Sequence, residues 1–89
     1  MDIGIDYDGT ITADPVFWFG FITHAVKCGH GVVVVTGRKE DERPPVGNLP
    51  IVFCGDEYKR RAAERAGYEI DIWIDNEPGH IEPSRKLEW

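Results

Sequence analysis

Val32-Val33-Val34-Val35 is the most constraining stretch in this chain of 89 residues. Four β-branched side chains in a row favour extended backbone. Successive side chains leave a strand on opposite faces, so this strand is apolar on both. Such a strand belongs in a parallel sheet with helices covering each side. The segment therefore asks for a three-layer α/β fold, and its neighbours must supply the other strands and the covering helices.

They do so in alternation. Asp2 to Ile5 reads as a short strand with Ile3 and Ile5 on one face. Asp14 before Pro15 is a helix start, a capping carboxylate followed by proline at the first helical position. That helix runs to about Cys28 and ends at Gly29 and Gly31, with Trp18, Phe21, Ile22, Ala25 and Val26 as an apolar stripe. Phe17 and Phe19 fall partly outside the stripe, so the trio Phe17, Trp18 and Phe19 serves the core or a contact with a neighbouring subunit. After the valine strand, Gly37 to Pro50 is polar and carries three prolines, a loop with at most one helical turn. Ile51 to Cys54 is a third strand, Glu57 to Ala66 a second helix closed by Gly67, and Ile70 to Asp75 a fourth strand with Ile70, Ile72 and Ile74 on one face. The remainder, with Pro78, Gly79 and Pro83, reads as irregular. The expectation is a single Rossmann-like domain over residues 1–89 with a four-stranded parallel sheet.

The formal charge of −6 argues against a general nucleic-acid or membrane-surface binder, although Lys59-Arg60-Arg61 is a local basic run. Cys28 and Cys54 have no CxxC partner and read as buried free thiols in a reducing compartment. No segment has the form of a secretory signal, and the apolar run from Val16 to Ile22 is too short to span a bilayer. A soluble cytoplasmic protein is expected.

In parallel α/β folds, ligands bind at the carboxyl ends of the strands. Asp6 and Asp8 follow the first strand, Thr36 and Gly37 the second, and Asp75 ends the fourth. Lys59, opening the second helix, reaches the same edge. Two unit charges about 4 Å apart interact by roughly 4 kcal/mol at an effective dielectric near 20, so three carboxylates there need a cation. Mg²⁺ suits all-oxygen donors and keeps waters that a phosphate oxygen can replace.

"IGIDYDGT", "VVVVTGR", a lysine at the start of a helix, and "IWIDNEP", in that order, resemble the four motifs of the haloacid-dehalogenase superfamily of phosphotransferases. The resemblance covers about residues 2 to 78. It implies a sheet order of 4-1-2-3 and a Mg²⁺-dependent phosphomonoester hydrolase working through an aspartyl-phosphate. Asp6 would be the nucleophile, and Asp8 the general acid and then base, its pKa raised by the acidic surroundings. Thr36 and the Gly37 N–H would hold phosphate oxygens, and Lys59 would offset charge on Asp6 and the phosphate. Asp6, the Asp8 carbonyl and Asp75 would bind the metal, while Gly9 lets the backbone turn toward the phosphate. Arg60 or Lys39 are substitutes for Lys59. Arg38, Lys39 and Arg43 are candidates for substrate contact, as is His80; His24 reads as structural.

The chain departs from the family pattern twice. Many relatives carry an acid where Asn76 stands; its amide oxygen still ligates metal but brings no charge, and Glu77 is a possible compensation. No insertion is large enough for a cap domain, so the site is open or lidded by another copy in a homo-oligomer. The implied partner is a small phosphorylated substrate, with a nucleotide or sugar phosphate as the default. A catalytically weak or inactive phosphate- or metal-binding module is the alternative. A receiver domain fails on motif order, with the threonine after the second strand and not the fourth. No GxxxxGK loop or zinc-ligand spacing is present.

Overall fold

The computed structural model describes residues 1–83. Its longest strand is β2 (Gly31–Thr36), and it carries the valine run. Val32 and Val34 enter one core, Val33 and Val35 the other, and all four are buried. At about 1.5 kcal/mol or more for each buried valine, this strand is the main anchor of both layers.

β1 (Asp2–Ile5), β3 (Ile51–Phe53) and β4 (Ile72–Ile74) complete a four-stranded sheet of order β3-β2-β1-β4, every pairing parallel. Read from the β4 edge, the same neighbours run 4-1-2-3. The chain steps outward from β1 to β2 to β3 and then returns to the far side of β1. The crevice between β1 and β4 is therefore the point where the strand order reverses.

Right-handed crossovers place helices on opposite faces when the direction of travel reverses. α1 (Pro15–Lys27) joins β1 to β2 and covers Ile3, Ile5, Val32 and Val34 through Ile22 and Ala25. α2 (Lys59–Arg65) lies on the return path from β3 to β4 and covers Val33, Val35 and Val52 through Ala62 and Ala63. The Gly37–Pro50 connection contains a 3-10 turn at Glu40–Glu42 and sends Val46 and Leu49 into the α1-side core. Further 3-10 turns cover Ile11–Ala13 and Pro78–His80, the latter in a stretch expected to be irregular. Asp14 Oδ1 accepts the Phe17 N–H at 3.2 Å, with Pro15 opening the helix.

Several expectations from the pattern need correction. α2 starts at Lys59 instead of Glu57, because the Glu57 N–H donates back to the Cys54 carbonyl and Tyr58 is extended. β4 begins at Ile72 instead of Ile70. The Asp71 N–H donates to the Asp2 carbonyl, while the Asp71 carboxylate accepts the Asp2 N–H, which breaks the alternation. Ile70 consequently joins the α2-side core, Ile74 the α1-side core, and Ile72 is exposed on this edge strand. Val26 and Phe17 are also exposed, Phe17 meeting Trp18 edge-on with ring centroids 4.9 Å apart. Trp18 and Phe19 pack against the core. Both cysteines are free, but only Cys54 is buried; Cys28 caps the end of α1 in solvent. Among the described residues, no helix is long and apolar enough to cross a membrane.

Candidate active site

The reversal point gathers the polar side chains. The Asp6 N–H donates to the Ile74 carbonyl at 2.9 Å, so parallel pairing carries Asp6 and Asp75 side by side out of β1 and β4. Lys59, the first residue of α2, extends its ammonium between them. It donates to Asp6 Oδ1 at 2.5 Å and to Asp75 Oδ2 at 2.7 Å. The other Asp75 oxygen accepts the Glu77 N–H at 2.9 Å.

Asp6 and Lys59 are both buried. Burial pushes the Asp6 carboxyl above its ordinary value, against the pull of the Lys59 ammonium. Burial on its own would lower Lys59, but the hydrogen bonds its ammonium donates to two carboxylates outweigh it and hold the lysine above its usual range. Because the folded value is raised, the stability Lys59 contributes is complete below the unfolded pKa of about 10.4. It is lost as pH climbs through the higher folded value. Denaturant unfolding between pH 9 and 12 is expected to show this alkaline decline. Stability that stayed level to pH 12 would contradict the ion pair.

Asp8 does not join this pair. Its carboxylate turns to Arg38, accepting from Nε at 2.8 Å and from Nη2 at 2.9 Å, while Nη1 donates to the Glu42 carbonyl at 3.2 Å. The guanidinium lies over the Tyr7 ring, 4.9 Å from its centroid. The two-pronged Arg38 contact holds the Asp8 carboxyl below its ordinary value, the reverse of the rise expected from acidic surroundings. The repulsion posed by the three aspartates is thus met by two separate cations: Lys59 serves Asp6 and Asp75, and Arg38 serves Asp8.

Between the two pairs lies a hydrogen-bonded knot. Thr10, buried, donates to Asp6 Oδ2 at 3.2 Å and accepts the Asn76 N–H at 3.2 Å. The side-chain amide of Asn76 satisfies its neighbours with Nδ2 turned inward. It then donates to Asp6 Oδ2 at 2.8 Å, with Thr10 Oγ1 at 3.2 Å and the Asp8 carbonyl at 3.3 Å also within reach. Gly9 makes room for this amide. Its φ is +85°, and a Cβ there would meet Asn76 at 2.5 Å. Gly9→Ala is expected to destabilise the fold by about 1–3 kcal/mol through backbone strain and this clash. Equilibrium denaturation checks it, and an unchanged midpoint would contradict the geometry. Sequence reasoning gave Thr10 no role, although its place in "DGT" was the available signal.

Thr36 ends β2 fully buried, and its Oγ1 accepts the Arg38 N–H at 3.1 Å. Thr36, Gly37, Arg38 and Lys59 line one cavity of about 810 Å³ with Asp6, Asp8, Asp75 and Asn76. Glu77 and His80 reach its rim and pair with each other at 3.0 Å. Arg60 points away, toward Glu82 and the Trp73 ring, and so does not substitute for Lys59. Lys39 and Arg43 are not among the residues lining the cavity. His24 lies on α1 near Cys28 Sγ, at 3.7 Å.

Among the described residues no group of three or more His, Cys, Asp or Glu side chains is placed to hold a metal. A magnesium ion here would have to draw on other oxygen donors. Neighbouring oxygens around an octahedral Mg²⁺ are about 3 Å apart, given Mg–O distances near 2.1 Å. The inward amide atom of Asn76 is 2.8 Å from Asp6 Oδ2 and 3.3 Å from the Asp8 carbonyl oxygen, which matches that edge length. Asp6 Oδ2 and the Asp8 carbonyl are hard oxygen donors of the kind Mg²⁺ takes, while both Asp75 oxygens are engaged by Lys59 and the Glu77 N–H.

Comparison with models of protein families, with curated proteins and with solved structures returned no match.

Proposed function

We propose that the chain is a cytoplasmic Mg²⁺-dependent phosphomonoester hydrolase that works through an aspartyl-phosphate on Asp6. The observation that carries the reading is the buried Asp6 carboxylate, fixed by Lys59 and opening into a cavity that Thr36 and Gly37 share. A desolvated, oriented carboxylate is a nucleophile with little reorganisation left to do. A magnesium ion would be held by the Asp6 carboxylate, the Asp8 carbonyl and Asp75, and would supply Lewis-acid polarisation and charge neutralisation.

The chain's own residues do the rest. An Asp6 oxygen attacks phosphorus as the bond to the leaving oxygen breaks, and that oxygen takes the proton of the Asp8 carboxyl. Asp8 then removes a proton from water as the water oxygen attacks the phosphorus of the acyl phosphate. This releases phosphate and restores both aspartates. Thr36 and the Gly37 N–H hold equatorial oxygens, and Lys59 balances the charge that gathers on Asp6. For Asp8 to act as an acid, Arg38 must release it, and an incoming phosphate is a suitable rival for a forked guanidinium. The substrate is a small phosphomonoester, with a nucleotide or sugar phosphate as the first choice.

The Arg38 grip on Asp8 also favours a second reading, a module that binds phosphate or metal without turning over. A screen of phosphorylated metabolites and p-nitrophenyl phosphate, with Mg²⁺ and with chelator, separates the two. Magnesium-dependent phosphate release supports the hydrolase. Binding of inorganic phosphate with no release from any ester leaves the module.

A further inference from the structure

Among the described residues, Lys59 and Arg38 are the lysine and arginine that line the cavity, and they are committed differently. Lys59 is buried between two largely buried carboxylates. Arg38 has a seat of its own. Its Nη1 donates to the Glu42 carbonyl at 3.2 Å, its guanidinium lies over the Tyr7 ring, and its N–H is tied to Thr36 Oγ1 at 3.1 Å. None of these contacts involves the Asp8 carboxylate. The remaining edge of the guanidinium, Nε with Nη2, is spent on that carboxylate, whose side chain is 54 % exposed. A pair this open to water is held weakly and can be exchanged for another oxyanion.

The rest of the cavity discourages anions. Its lining carries seven carboxylates against Lys59, Arg38 and His80, and Glu57 and Glu77 already occupy Arg65 and His80. A substrate with a negative group besides its reacting phosphate therefore has one cationic address among the described residues, and the arginine fork takes carboxylate or phosphate in the same two-pronged way. Asp8 must reach the ester oxygen to act as the acid, so the leaving group lies beside Asp8 and within a few bonds of Arg38. We propose that Arg38 selects esters whose leaving group carries a second oxyanion close to the ester oxygen, and that this oxyanion takes the fork from Asp8. The inference rests on the hydrolase reading for the place of the leaving group, and it narrows the small phosphomonoester to a phosphorylated hydroxy acid or a bisphosphate. In the free protein the Asp8 carboxylate stands in for that oxyanion. Docking of the correct leaving group and release of Asp8 are then a single exchange, whereas an ester without the second oxyanion leaves the latch closed.

The test compares phosphoserine with phosphoethanolamine, which differ by the carboxylate alone. Wild type with Mg²⁺ is expected to prefer phosphoserine by about tenfold or more in kcat/KM, and Arg38→Met to bring the two within about twofold. Ethylene glycol bisphosphate against hydroxyethyl phosphate repeats the comparison for a second phosphate, and a preference in either pair that Arg38→Met removes supports the proposal. Calorimetry reads binding apart from turnover. Asp8→Asn, which has no full charge to compete for the fork, is expected to bind phosphoserine about threefold or more tightly than wild type does, with a smaller change for phosphoethanolamine. That variant carries the test if Arg38→Met proves too unstable to study. Wild type that treats both members of each pair alike, or a preference that Arg38→Met keeps, overturns the inference and leaves the hydrolase standing. If no ester is hydrolysed, tighter binding of the doubly anionic member that Arg38→Met abolishes sinks the enzyme and leaves the fork; binding blind to the second oxyanion sinks both.

Discussion

Asp6→Asn is expected to abolish phosphate release, lowering kcat on the order of 10⁴-fold or more, because the atom that would attack phosphorus is gone. The variant is chosen so that loss of activity is not loss of fold. Asparagine is nearly isosteric, and its amide oxygen still accepts from Lys59, which keeps its second partner in Asp75 at 2.7 Å. Burial already pushes the Asp6 carboxyl upward, so removing its charge relieves a desolvation cost and offsets the weaker contact with Thr10. The net change in stability is expected to lie within about 1 kcal/mol. Circular dichroism and denaturant midpoints check the fold; release of phosphate from p-nitrophenyl phosphate checks the chemistry. A variant that kept a tenth of wild-type turnover would exclude Asp6 as the nucleophile and move attention to a directly activated water.

The layers were legible in the sequence because they rest on period and β-branching, which are local. Val32 to Val35 needed no partner to announce a doubly covered strand, and the two cores divide those side chains alternately. Asp14-Pro15 likewise fixed the start of α1 through its own side chain. The misreadings fall where a long-range contact decides. Ile70 looked like the first inward residue of β4, but the Asp2–Asp71 bonds turn the chain before the sheet begins. Val26 fits a helical stripe on paper, yet it stays exposed, lining an open hollow with Leu49 and Tyr68 instead of entering either core.

The site divides in the same way. Strand-end placement marked Asp6, Asp75 and Thr36, because parallel strands carry their carboxyl ends to one edge whatever the loops do, and the start of the second helix marked Lys59. Pairing among those groups was not readable, since charge choice depends on ångström distances that no spacing encodes. Asp8 sits two residues from Asp6, and the sequence gives no sign that Arg38 claims it from across the second loop. The position of the Asn76 amide over Asp6 was hidden for the same reason: only the φ of +85° at Gly9 and the missing Cβ there allow it.

Lys59→Met is expected to produce the largest loss of stability of any single change at the site, about 3–5 kcal/mol. Methionine fills much of the lysine stem's volume, so the loss is of charge and hydrogen bonds and not of packing. What remains are the Asp6 and Asp75 carboxylates, both largely buried, facing each other with no ammonium between them. A chain of this length has on the order of 5–13 kcal/mol in hand, so the variant stands near the edge of folding. At 4–8 °C per kcal/mol for a domain of this size, its melting temperature should fall by about 12 °C or more. A second substitution shows whether charge is the cause. Asp75→Asn added to Lys59→Met removes one of the two opposed carboxylates, so it should restore part of the loss, whereas Asp75→Asn alone in wild type should destabilise by leaving Lys59 one partner short. That reversal of sign is the signature of a coupled pair, and it does not arise if Lys59 acts only through its hydrocarbon stem. If Lys59→Met melts within a few degrees of wild type, the ammonium is not what holds these two strands' ends together, and the charge balance assigned to the site is wrong.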